Sequence, residues 1–181
     1  MTRAIAAGLR VLATLAAASV LLGATGESGV QKQRYVFKAP AGLAKYEQQH
    51  AIDVGDVPGH QIRILEAHSR FTDEAPAYDG VKVKDAWTRV ATDYTDGNGR
   101  GLGYTLAELE NGDKIFGRYE SITQTTAGAD GAKTTRTNAV TTLTGGTGKF
   151  KGIRGTIRST VGTDFKTLGE SMAEGEYWIE K

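Results

Sequence analysis

From Tyr46 onward, segments rich in Thr, Val, Ile and Tyr are separated by clusters of Gly, Asp and Asn, and no window of about a dozen residues carries a helical apolar stripe. This two-residue period is the tightest constraint on the fold, because a slip of one residue turns every side chain to the opposite face. It is clearest in GRGLGYTLAELENGDKIFGRYESITQTT, residues 99–126. There Asn111-Gly112 separates two alternating runs and predicts a type I′ hairpin, whose two central residues take positive φ. Leu102, Tyr104 and Leu106 share one face of the first arm, and Gly103, Thr105 and Ala107 the other; on the second arm Ile115, Gly117 and Tyr119 alternate with Phe116, Arg118 and Glu120. A second reversal falls at Ala127–Ala132. The pattern predicts strands at 46–54, 61–71, 82–95, 101–110, 113–126, 133–143, 153–162 and 170–180. The expected fold is all-β, an eight-stranded antiparallel β-barrel, since closure removes the exposed edges of an open sheet. A two-sheet sandwich has the same periodicity.

The first 26 residues belong to a different class of segment. Arg3 and Arg10 precede and flank an apolar run from Val11 to Ala24, followed by small residues, which is the order of an export signal peptide cleaved near Ala24–Ser28. The run is short for a transmembrane helix. Residues 27–44 show no sustained period and contain Gly and Pro, so they are expected to form a linker or N-terminal arm ahead of a barrel domain at 45–181. The expected location is secreted or periplasmic, with no membrane association after cleavage.

Charge and cysteine content narrow the function classes. The chain has 22 basic and 21 acidic residues, and without Arg3 and Arg10 the remainder carries one more acidic than basic residue. No charge excess is present to draw it to nucleic acid. The absence of cysteine leaves an exported fold to rely on packing and a complete hydrogen-bond ladder, and excludes thiol nucleophiles and thiolate metal sites.

The glycine-rich stretch TLTGGTGKFKGIRG has the composition of a phosphate-binding loop but not its order. Leu143 stands where the first glycine of a P-loop belongs, Phe150 follows Lys149 in place of a hydroxyl residue, and the residues beyond read as a strand rather than a helix. A structural corner explains the composition: Gly145, Gly146 and Gly148 permit a tight reversal, Phe150 plugs the barrel end, and Gly152 and Gly155 let the next strand bend. Residues 144–157, TGGTGKFKGIRGTI, resemble the G-G-T-G-x-F-x-x-A-R-G signature of the dirigent proteins and, more loosely, the matching turn of the allene oxide cyclase barrel. Both families build an eight-stranded barrel around a lipophilic cavity. The resemblance implies that fold, a lipophilic small-molecule partner, a homo-oligomer and, where chemistry occurs, cyclisation or isomerisation. Because these residues shape a turn, the resemblance carries fold rather than a catalytic residue.

Proton-transfer groups concentrate in HAIDVGDVPGHQIRILEAHSR, which holds all three histidines, His50, His60 and His68. In the strand at 61–71, Ile62, Ile64, Glu66 and His68 share a face. If that face lines a cavity, Glu66 becomes a carboxylate in apolar surroundings and, with His68, the candidate acid-base pair. The alternative is that Ile62 and Ile64 pack inward while Glu66 pairs with Arg63, Arg118 or a rim histidine. Ile62, Ile64, Tyr104, Tyr119 and Trp178 are the candidate ligand-binding residues, against a default of core packing for the aromatics. No metal ligand set has a recognised spacing, no cofactor motif is present, no serine lies in a nucleophile elbow, and Asp93–Gly101 lacks the order of a calcium loop. Three functions fit: an exported barrel that binds a lipophilic molecule and guides its conversion by shape, a cyclase or isomerase using Glu66, and a solidly filled structural or surface-interaction barrel.

Overall fold

A computed structural model describes residues 30–72 and 74–180, so the expected signal peptide at 1–26 lies outside the described residues. The strands are β1 (Gln33–Ala39), β2 (Ala44–Asp53), β3 (His60–Arg70), β4 (Ala77–Tyr78), β5 (Val81–Thr95), β6 (Asn98–Leu109), β7 (Lys114–Ala127), β8 (Lys133–Gly146), β9 (Ile153–Thr163) and β10 (Leu168–Ile179). One antiparallel sheet runs β1-β10-β9-β8-β7-β6-β5-β3-β2, with β4 paired to the start of β5. The eight long strands β2, β3 and β5 to β10 correspond to the eight expected ones. Two more were not foreseen. β1 arises within the segment expected to be a linker or arm and pairs with β10 from Gln33↔Tyr177 to Ala39↔Ser171.

No ladder joins β2 to β1 or β10 among the described residues, so backbone pairing does not close the sheet into a barrel. The two ends nevertheless meet, since Pro40–Leu43 link β1 to β2. Gly42 N donates to Leu168 O at 3.0 Å, the Tyr46 and Thr163 hydroxyls lie 3.2 Å apart, and Gln49 Nε2 donates to Phe165 O at 3.2 Å. The result is a strongly curled sheet with an inner face and an outer face.

The hairpin at Asn111-Gly112 forms in a different turn from the expected one. Only Gly112 has positive φ, at 83°, and its N–H donates to Leu109 O at 2.9 Å. Asn111 stays at negative φ and uses its side-chain oxygen to accept from Asp113 N at 3.0 Å, so a four-residue connection replaces the two-residue one.

One end of the curl is a tight core of Tyr78, Val83, Leu109, Ile115, Leu143, Phe150, Ile153, Ile157 and Tyr177. Each such side chain contributes about 1.5–3 kcal/mol by leaving water. Phe150, on a single 3₁₀ turn at Gly148–Phe150, is completely buried. Gly148 at φ 48° sets up that turn, and a Cβ there would collide with the Asp113 carboxylate. Along β5 the inward side chains run from Val83 in this core through Ala86, Thr88, Val90 and Thr92 to Tyr94 at the opposite end. A register shift between Val83 and Asp85 changes which residues point inward.

Candidate functional site

Between the core end and Tyr94, the inner face carries small side chains: Ala67, Ser69, Ala86, Ser121, Ser159 and Ser171. Larger ones at these positions would fill the interior, as in most small barrels. Among the described residues two cavities border this face. The first, about 210 Å³, is also bordered by Tyr46, Leu65, Val90, Tyr94 and Val161. The second, about 180 Å³, lies nearer the core against Tyr35, Phe71, Leu143 and Ile157. Ala86, Thr88, Tyr119 and Ser159 border both, and Tyr119 is the bulkiest part of the partition.

The wall is mostly apolar, with hydroxyl groups but no charged side chain. Tyr94 OH lies 2.9 Å from Thr123 Oγ1, which lies 2.8 Å from Thr137 Oγ1; Thr125 and Thr135 hydroxyls meet at 2.8 Å beside them. Burial pushes the Tyr119 phenol up to about 12, with the Ser121 hydroxyl opposing the shift. Burial likewise pushes Tyr35 up to about 12, opposed by its bond with Tyr78. Tyr119 and Tyr35 therefore stay protonated near neutral pH and act as hydrogen-bonding groups, not bases.

Beside Thr92 and Tyr94, which border the first cavity, three different elements bring together a set of side chains that do not line it. On β3 the inward set is Gln61, Arg63, Leu65, Ala67 and Ser69, with Arg63 opposite Thr92 of β5 and Ala51 of β2. Arg63 Nε is enclosed without a hydrogen-bond partner, as are Gln49 Oε1 and Thr92 Oγ1. The guanidinium carbon of Arg63 lies 5.4 Å from the centre of the Phe165 ring, and the ring of Tyr94 lies 5.8 Å from that of Phe165. Phe165 sits in the loop between β9 and β10 at φ 64°, held by its own N–H to Thr163 Oγ1 at 2.9 Å and by Gln49 to its carbonyl.

Ile62, Ile64, Glu66 and His68 do share a face of β3, but it is the outer one, and none of them borders either cavity. Ile64 is 63% exposed. Glu66 accepts from Arg89 Nε at 2.5 Å, its cross-strand neighbour, in place of Arg63, Arg118 or a rim histidine. His68 stacks on Trp87 with centroids 4.7 Å apart and bonds Asp85 Oδ1 through Nε2 at 2.8 Å. Burial raises the Asp85 carboxyl, but the bonds from His68 and Arg70 outweigh it and hold it below its usual range. Tyr104 is 71% exposed on the outer face between Arg89 and Arg118, and Trp178 lies under Lys32, 5.7 Å from its ammonium. Of the expected ligand-binding residues, Tyr119 alone borders the cavities.

The residues missed by sequence reasoning are Tyr46, Gln49, Arg63, Tyr94 and Phe165. For Arg63 the signal was the alternate register of β3, in which it belongs with Leu65, Ala67 and Ser69 of the inner wall; the others had none within their own segments. Among the described residues no group of three His, Asp or Glu side chains is arranged to hold a metal ion, and no helix is long and apolar enough to cross a membrane. The chain matches no family model, no curated protein and no solved structure. The resemblance to dirigent and allene oxide cyclase barrels thus rests on residues 144–157.

Proposed function

We propose that this is an exported protein, secreted or periplasmic, whose curled sheet works as a barrel of the allene oxide cyclase and dirigent type and binds a lipophilic small molecule in its interior. One observation carries this reading: a sheet with a tight core at one end keeps a cavity of about 210 Å³ at the other, lined by Leu65, Val90 and Val161 and by hydroxyl groups that fix orientation. The filled structural barrel is disfavoured by the same space. Guidance of a conversion falls to shape and to the Tyr46, Tyr94 and Tyr119 hydroxyls, because Glu66 and His68 are engaged on the outer face. Native mass spectrometry of the exported protein, before and after exposure to a panel of small apolar compounds, tests the reading. A one-to-one adduct that disappears in Ala67→Phe is expected; an unchanged mass with every compound overturns it.

A homo-oligomer is the second part of the reading. A hollow of about 840 Å³ on the outer face has Leu102, Ile122 and Val140 on its floor and Arg100, Glu120, Arg158 and Glu174 around them. Both signs of charge around an apolar floor suit a twofold contact with a second copy. Sedimentation velocity of wild type and Leu102→Lys checks it, with a dimer reduced to monomer as the expected result.

A further inference from the structure

We infer that the interior site takes a compact monocarboxylate, with its anionic head on Arg63 and its apolar body in the cavity between Leu65, Val90 and Val161. This rests on the cavity-binding reading above and names the ligand class.

Among the described residues Arg63 has neither a hydrogen bond nor an ion pair, and its Nε is shut off from solvent. The acids near it are already engaged. Asp53 accepts from Gln61 Nε2 at 2.8 Å, Asp164 accepts from the N–H groups of Lys166 and Thr167 at 2.8 and 2.6 Å, and Asp93 points outward to His60 at 2.8 Å. An enclosed Nε–H without an acceptor, on a guanidinium without a counter-ion, is costly, and the contact with the Phe165 ring offsets only part of that cost. A ligand carboxylate supplies the missing acceptor and matches the guanidinium fork.

The rest of the site sets the remaining chemistry. One unpaired cation suits a single negative charge, whereas a phosphate dianion calls for more donors than the site presents. Thr92, which borders the cavity and lies opposite Arg63 in the β3–β5 ladder, is placed to bond a hydroxyl on the same ligand. At about 210 Å³ the cavity exceeds the roughly 150 Å³ that accommodates benzene, so the body is a single substituted ring or a short chain.

The test is isothermal titration of the full-length mature protein at neutral pH with 4-isopropylbenzoate, 3-phenylpropanoate and octanoate, each beside its neutral amide. Wild type is expected to bind at least one acid about ten- to a hundredfold more tightly than its amide, Arg63→Gln to lose that preference while still binding the amide, and Arg63→Lys to regain part of it. Near-UV circular dichroism confirms that the variants keep the fold; the acid-to-amide ratio in wild type needs no variant. Equal affinity for acid and amide in wild type, or an undiminished preference in Arg63→Gln, overturns the role of Arg63 and leaves the cavity reading intact. Binding of neither acid nor amide overturns both.

Discussion

Arg63 and Phe165 face each other across the open end of the curl, the guanidinium carbon 5.4 Å from the ring centre, although one comes from the middle of β3 and the other from the loop between β9 and β10. The contact ties the two sides of the seam where no backbone ladder runs among the described residues.

Phe165 maintains this position with φ 64°, a conformation that costs a residue bearing a Cβ on the order of 1 kcal/mol or more. Phe165→Gly and Phe165→Ala both remove the ring, but only glycine relieves the backbone. Phe165→Gly is expected to be the more stable of the two by about 1 kcal/mol in urea unfolding. The reverse order would show that the loop relaxes out of the left-handed region once the ring is gone.

The tyrosines give an alkaline signature. Tyr119 and Tyr35 are both pushed up to about 12 by burial, so the folded state holds their protons more tightly than the unfolded chain does. Their contribution to stability is present in full below the ordinary phenol value of about 10 and is lost as pH rises towards 12. Phenolate absorbance in Tyr119→Phe is expected to lose amplitude at about pH 12, and the variant to unfold at higher pH than wild type.

His60 provides the opposite end of the range. It bonds Asp93 at 2.8 Å and Asp56 at 2.6 Å, and these two bonds raise its pKa, the Asp93 bond most. A raised histidine stabilises below about 6.5 and loses that contribution as pH climbs through the folded value. Denaturant midpoints measured at pH 6 and pH 8 are expected to differ less in His60→Gln than in wild type.

Glu66→Gln separates the inner-face reading from an acid-base one. Glu66 pairs with Arg89 on the outer face, and the Arg89 side chain is half-exposed, so the change is expected to cost no more than about 1 kcal/mol in stability. Ligand affinity in the cavity should be unchanged. A tenfold loss of binding in this variant would place Glu66 in the site after all.

Phe150→Ala tests the closed end. The ring is fully buried among the residues of the core, so its loss is expected to cost roughly 3–5 kcal/mol, read as a lowered urea midpoint. The same variant should alter ligand affinity less than Ala67→Phe, because Phe150 borders neither cavity.

The strands were legible because their two-residue period and their glycine turns are local properties. The eight long strands fall within a few residues of the expected ranges, and Phe150 occupies the buried corner expected of it. The direction in which each face points was not legible. On β3 the alternation separates Ile62, Ile64, Glu66 and His68 from Arg63, Leu65, Ala67 and Ser69, and hydrophobicity favours the first set as interior. The structure turns that set outward because the second contains the small side chains needed around a cavity, a demand visible only when β5, β7 and β9 stand opposite. β1 escaped notice since its partner, β10, is more than a hundred residues away in sequence. The pairing of Arg63 with Phe165 depends on the same curl and has no local signal.

The separation of a tight core at one end from a wall of Ala, Ser and Thr at the other makes the interior adjustable. Side chains such as Ala67 and Ser159 border empty space rather than a packed neighbour in the core, so enlarging them reshapes the cavity while Phe150, Leu109 and Ile153 continue to hold the sheet together. Selectivity and thermal resistance can therefore be tuned separately in this scaffold, by substitutions at opposite ends of the same strands.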